Sequence, residues 1–169
     1  MASIAIDDVY EAGVVGAGGA GFPTHVKLSG RADSLLLNAA ECEPLLHKDK
    51  EVLRHCAGLV IDGMEAAMRL VGASKAYIGI KDKYHDVIDL LRSKLPQTID
   101  IVPLRDTYPA GDEFILVYDC LGRVVPPGAI PLAVGAVVIN VETSVNVALA
   151  SQQPVTEKYL TIAGAVAEP

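Results

Sequence analysis

Ser34-Leu-Leu-Leu-Asn-Ala-Ala-Glu-Cys-Glu-Pro44 is the stretch on which the fold turns. Leu35 to Leu37 form a short apolar run, stopped by Asn38 and followed by two alanines. Such a run suits a strand covered on both faces, as strands of parallel sheets are. Asn38, Glu41 and Glu43 then fall at and just past the carboxyl end of that strand. In open α/β sheets, that is where ligands bind.

Downstream, Asp49 to Val71 carries Val52, Leu53, Cys56, Leu59, Val60, Gly63, Ala67 and Leu70 at three- and four-residue spacing, which predicts a long helix ended by Gly72. Within it, Lys48-Asp49-Lys50 reads as a solvated charge run. Lys75 to Ile80 reads as a second strand, Tyr84 to Leu95 as an amphipathic helix stopped by Pro96, and Ile99 to Leu104 as a third strand. Strand, helix, strand, helix, strand predicts a parallel sheet with crossover helices. Tyr108-Pro-Ala-Gly-Asp-Glu113 is a second polar loop placed after a strand. Glu113 to Leu121 reads as a helix ended by Gly122, and Val124 to Pro131 as a connection. Ala136 to Ile139 is a fourth strand, and Asn140-Val-Glu-Thr143 a third polar cluster, opening a helix to about Ala150. Val155 to Ala163 alternates weakly and suggests an edge strand or the start of another unit.

Upstream, Ser3 to Ala12 reads as a short helix that Ser3 caps. Then comes Gly16-Ala-Gly-Gly-Ala-Gly-Phe-Pro-Thr-His-Val-Lys27, with Thr24 to Leu28 as a helical turn. Glycines before a helix start can present free N–H groups to an anion, and Lys27 adds a mobile cation. Alone, this segment is as readily a flexible connection. It lacks the Gly-Lys-Ser/Thr of a P-loop and is not a clean dinucleotide fingerprint. In a parallel sheet the post-strand clusters share one side, and the glycine loop joins them there, so the four can line one site.

Composition narrows the classes. The chain has 169 residues, a net charge of −7, no Trp and only 5% aromatic residues. A nucleic-acid partner is therefore disfavoured, since such partners need basic surface and stacking platforms. No apolar run reaches the ~20 residues of a membrane span, and Asp7, Asp8 and Glu11 stand where a signal peptide would be basic. A cytoplasmic protein is expected. Cys42, Cys56 and Cys120 are widely spaced and read as small buried hydrophobes. His47, His55 and His85 lack ligand spacing, and His25 reads as a surface residue.

These segments resemble the FMN-carrying, NADH-oxidising subunit of respiratory complex I. They are more similar still to its relatives in Rnf-type electron-transport complexes (the C subunit) and in propanediol-utilising microcompartments (a cobalamin reductase). The resemblance is carried by the glycine segment, Asn38-Ala-Ala-Glu-Cys-Glu-Pro44, Tyr108-Pro-Ala-Gly-Asp-Glu113 and Asn140-Val-Glu-Thr143, in family order. It implies a Rossmann-like α/β fold, an open parallel sheet with flanking helices, over residues 1–155. Residues 156–169 would be a linker or the start of a β-grasp domain of the SLBB type.

The resemblance also implies roles. Gly16, Gly18, Gly19 and Lys27 would cradle the FMN phosphate, and Asn38 and Glu41 would lie along the ribityl chain and ring edge. Tyr108, Gly111, Asp112 and Glu113 would line the floor, while Val138, Asn140 and Thr143 would close the site. Phe22 and Glu43 would face NADH. No side chain is assigned a catalytic role, because hydride chemistry belongs to the cofactors. Electrons would leave through iron–sulfur clusters or toward cobalamin by way of absent C-terminal domains, so the chain is expected to be a piece of a longer protein. Its partners would be an acceptor protein or a corrin enzyme, at a membrane complex or inside a microcompartment. The fifteen residues before Gly16 favour the cobalamin-reductase branch. Ala40 replaces an acidic residue of the complex I form. That departure, with the absent clusters, leaves a second expectation: a non-catalytic docking module with a vestigial flavin site.

Overall fold

The computed structural model describes residues 3–43 and 45–165; Pro44 and residues 166–169, which end two of the segments read above, lie outside them. Four short apolar segments pair into one sheet: β1 (Ser34–Ala39), β2 (Lys75–Lys81), β3 (Ile99–Leu104) and β4 (Ala136–Asn140). The order is β3-β2-β1-β4 and every pairing is parallel. Leu36 stands opposite Tyr77 on one side and Val138 on the other, so β1 is central and hydrogen-bonded along both edges.

The burial of β1 explains why its leucines run together instead of alternating with polar residues. Leu35 and Leu37 face one layer, with Ile78, Ile80, Val137 and Ile139. That layer is closed by the helices α1 (Ile6–Glu11), α3 (Lys48–Val71), α4 (His85–Arg92) and α6 (Val141–Leu149). Leu36 faces the other layer with Val138, against Leu116 and Val117 of α5 (Glu113–Leu121). The remaining helix, α2 (Thr24–Leu28), follows the glycine segment. Gly72 and Gly122 end α3 and α5 with left-handed backbone. No helix among the described residues is long and apolar enough to cross a membrane.

α3 and α6 cross backbone to backbone. A Cβ at Gly63 would lie 1.8 Å from the carbonyl oxygen of Ser144, so no larger residue fits without moving a helix. Ser144, fully buried, donates from Oγ to the carbonyl of Val60 at 2.8 Å. α3 is also broken at Cys56, where φ is −125° and ψ 23°, so its first two turns run apart from the rest.

Several expectations need correction. α1 starts at Ile6, not Ser3, because the Asp8 carboxylate accepts the Ala5 N–H at 2.7 Å and makes Ala5 the cap. α4 stops at Arg92, three residues short of Leu95. Residues 155–163 form no edge strand; they run as an extended strap, with the Val155 N–H on the Ala12 carbonyl at 2.8 Å. The three cysteines are half-buried, not sealed in the core. Burial still pushes the Cys120 thiol up to about 12.

The close helix crossing gives a stability test. Gly63→Ala is expected to cost about 3 kcal/mol or more, a fall in Tm of roughly 6–12 °C. Gly58→Ala, on the same helix with nothing within 4 Å of its Cβ, is expected to gain up to about 1 kcal/mol. A G63A protein that melts with the parent would contradict the crossing.

Candidate functional site

β1 continues to β2 and β3 on one side, whereas β4 lies on its other side. The carboxyl ends of β1 and β4 therefore flank the point where the strand order reverses, and a crevice opens between them. The glycine segment roofs it. Val15 and Pro23 form an antiparallel bridge, and the Gly16 N–H bonds the Phe22 carbonyl at 2.8 Å, which closes residues 16–22 into a loop. Gly19 and Gly21 hold φ of +123° and +64°, a region L side chains rarely enter. Gly18 packs on Asn140, where an added Cβ would lie 3.5 Å from that of Asn140. Gly16, Gly18 and Gly21 have the literal G-x-G-x-x-G spacing, but α1 and an isolated bridge precede them where that fingerprint needs a strand.

The cleft has a volume of about 190 Å³. Drug-sized ligands fill pockets of roughly 300–1,000 Å³, so this one holds part of a larger ligand and leaves the rest across its mouth. Gly16, Gly18 and Phe22 line it from the loop, and Asn38, Val138, Asn140 and Thr143 from the strand ends and α6. Lys27 enters from α2, and Gly111 and Glu113 from the loop before α5 and its first turn. Ala20, Gly21, Thr24 and Ile139 complete the wall. Gly21 belongs to the glycine run read above, whereas no signal in the sequence separated Ala20, Thr24 and Ile139 from their neighbours.

The polar groups in the cleft are fixed. Lys27 Nζ donates to the Val138 carbonyl at 2.9 Å and to Glu113 Oε1 at 3.1 Å, and lies 5.9 Å from the Phe22 ring centroid. A cation is thus held at the end of β4, beside the loop. Glu113 opens α5 and is also the partner of this lysine, so it is more than an acid at a helix start. Asn38 donates from Nδ2 to the Gly111 carbonyl at 2.8 Å and accepts from the Ala40 N–H at 3.2 Å. A Cβ at Gly111 would stand 2.7 Å from the Ala40 carbonyl oxygen, so these two loops pack main chain to main chain.

The other residues read from sequence lie outside this wall. Gly19 is exposed at the loop tip. Asp112 caps α5, its Oδ1 accepting from Phe114 and Ile115 N–H at 2.9 and 3.1 Å. Tyr108 is 75% exposed. Glu41 accepts from the N–H of Glu43, itself exposed. His25 packs edge-on to Tyr10 with ring centroids 4.8 Å apart.

Behind the loop sits a network that the sequence reading missed. Lys48 and Asp49 are no solvated run. Asp49 is 4% exposed and Glu142 2%, and Lys48 Nζ stands 3.1 Å from Glu142 Oε2 and 3.5 Å from Asp49 Oδ1. Glu142 Oε1 accepts the Tyr159 N–H at 3.3 Å. Asn140 donates to Asp49 Oδ2 at 2.7 Å and accepts the Glu142 N–H at 3.0 Å, which locks its amide while it caps α6. Asp49 Oδ1 has no hydrogen-bond partner among the described residues. Burial dominates and pushes the Asp49 carboxyl up to about 6, against the pull of Lys48 and Asn140. Spacing did carry a signal: Asp49 lies three and four residues before Val52 and Leu53, on the buried face of α3.

Comparison with known proteins agrees with this architecture. Residues 9–149 match the family model described as the Nuo51 FMN-binding domain. The chain is 48% identical to a cobalamin reductase, PduS, of Citrobacter freundii over 163 residues, 95% of this chain and 36% of that protein. It is 39% identical to the C subunit of the Na(+)-translocating ferredoxin:NAD(+) oxidoreductase complex of Acetobacterium woodii, over 92% of this chain and 37% of that relative. The chain thus spans little more than a third of these curated relatives. Among solved structures, one chain of an NAD+-reducing [NiFe]-hydrogenase in its air-oxidized state superposes with a TM-score of 0.74 at 30% identity, covering 87% of this chain and 30% of that one.

Asp49 makes stability pH-dependent. Its carboxyl binds a proton more tightly folded than unfolded, so stability falls as pH rises from about 4 to about 6 and stays lowered above. The shift corresponds to about 3 kcal/mol. Asp49→Asn keeps the acceptor for Asn140 and removes the charge, so it is expected to melt several degrees above the parent at pH 8. The gap should close toward pH 4; a gap that is constant with pH, or absent, would contradict it.

Proposed function

Because the chain belongs to the Nuo51 FMN-binding domain family, we propose that it binds FMN in the cleft between β1 and β4 and takes up reducing equivalents from NADH. One observation carries this reading. A lysine ammonium, a glycine loop and two fixed side-chain amides converge on one crevice at the strand-order reversal. The donor set fits the cofactor: a cation and backbone N–H groups suit a phosphate dianion, and asparagines suit a polyhydroxyl chain.

When bound, FMN supplies the chemistry of accepting a hydride and releasing electrons singly. The chain's own residues do the rest. Gly16 and Gly18 let the ligand approach the main chain, and Lys27 offers positive charge held by Val138 and Glu113. Asn38 and Asn140 present amides whose orientations are set by Gly111 and Asp49. Val138 and Thr143 form the inner wall. Gly19, Glu41, Tyr108 and Asp112 would act only at the rim, where a ligand longer than the cleft extends. Phe22, half-exposed at the mouth, and Glu43 are the residues we assign to NADH.

Downstream, we assign electron delivery through C-terminal domains of a longer protein, to a corrin acceptor or to a ferredoxin-coupled complex, the two acceptors that the relatives' names carry. The higher identity to the cobalamin reductase favours the corrin. The cation, the loop and both asparagines stand together round one cleft, which weighs against a vestigial site.

The purified domain is expected to quench FMN fluorescence saturably at micromolar ligand. Lys27→Met should weaken binding about ten- to a hundredfold, the loss of one charged hydrogen bond. Under anaerobic conditions NADH should bleach the yellow absorbance of the FMN-loaded parent. Unsaturable quenching by the parent, or equal affinity in the variant, would overturn the assignment of the cleft.

A further inference from the structure

Lys48 does not line the cleft, yet it reaches the glycine loop from behind. Its side chain is 15% exposed, and its Nζ donates to the carbonyl of Ala17 at 2.9 Å and to Glu142 Oε2 at 3.1 Å. The N–H of the same Ala17 donates to Thr143 Oγ1 at 2.9 Å. One residue inside a run of glycines is therefore held on both sides, by α3 through its carbonyl and by α6 through its amide.

We infer that Lys48 is a positioning residue that sets the orientation of the peptide joining Ala17 to Gly18, and with it the direction of the Gly18 N–H. The peptide unit is planar and trans, so its C=O and N–H point in opposite directions. With the Ala17 carbonyl drawn back to Lys48, the Gly18 N–H faces away from Lys48. Gly18 lines the cleft, and its N–H donates to no group among the described residues. A glycine on one side of a peptide makes a flip inexpensive. Lys48 opposes the flip, because turning the carbonyl outward would leave a buried ammonium with one acceptor fewer. Glu142 in turn holds Lys48 and is itself held by the Tyr159 N–H, which tethers the strap to the same point. Lys48 thus acts on a ligand through Ala17, not by touching it.

The role in ligand binding rests on the FMN reading, whereas the control of the loop does not. The test uses Lys48→Met and the pair Lys48→Met with Glu142→Gln. The pair removes both charges and keeps an acceptor for Tyr159, so Glu142 is not left without its counter-charge; Asp49, 3.5 Å from Lys48 Nζ, loses its cation equally in both variants. Two readouts are taken. In protein without FMN, the three-bond HN–Hα couplings of Gly18, which read its φ, are expected to shift toward a conformational average in the pair, while those of Leu36 and Leu37 in β1 stay as in the parent. FMN affinity is expected to fall at least tenfold. Gly18 couplings unchanged from the parent would overturn the inference, whatever happens to FMN. A parent that fails to bind FMN would sink the proposed function and leave the Gly18 couplings to decide on Lys48.

Discussion

The strand order reverses at β1, with β2 on one side and β4 on the other, so the carboxyl ends of β1 and β4 flank a crevice. The rest of this structure depends on that constraint, which acts between β1 and β4. The chain after β1 leads to α3 and the chain after β4 into α6, two helices packed on one face of the sheet, and the crevice lies at the strand ends themselves. Asn38 and Asn140 sit at equivalent positions on the two strands, directly opposite in the register. Each turns its side-chain amide to hold a neighbouring loop or helix end. The site is therefore a consequence of topology first and of residue chemistry second.

The loop over that gap has little regular structure of its own, so its shape has to come from its anchors. They are few and polar: the Val15–Pro23 bridge, the Thr143 hydroxyl and the Lys48 ammonium. Burying an ammonium and two carboxylates is costly, and a hydrophobic cluster of the same volume would often be as stable. What charge adds here is direction, since an ammonium only donates, here to oxygens of the loop and of α6, and so selects one arrangement of loop, α3 and α6. Asp49 Oδ1, 3.5 Å from Lys48 Nζ but without a hydrogen bond among the described residues, marks the cost that remains.

Much of the fold was legible because its signals are periodic or terminal. The leucine run of β1, the three- and four-residue spacing of α3, and the glycines after α3 and α5 each act locally and survive into the structure. The four polar segments were likewise legible as a set, since strand ends on one side of a parallel sheet must converge. What was hidden depended on tertiary packing. Lys48 and Asp49 look like any charged helix start until α6 brings Glu142 against them. Asp112 reads as one acid of a polar loop, and that its Oδ1 caps α5 shows only once the helix start is in place. The strap after Val155 alternates like a strand and finds no ladder partner, because its N–H groups meet Ala12 and Glu142 instead.

On the reading proposed above, FMN occupies the crevice between β1 and β4 beneath the glycine loop. Amide chemical shifts of the isotope-labelled domain, followed during FMN addition, test it most directly. The account predicts that shifts concentrate at Gly16 to Gly21, Lys27, Asn38 and Asn140 to Thr143, with the β3 edge and α4 unmoved. Shifts centred instead on the groove beneath the strap, at His47, Cys56 and Tyr159, with the glycine loop silent, would contradict it.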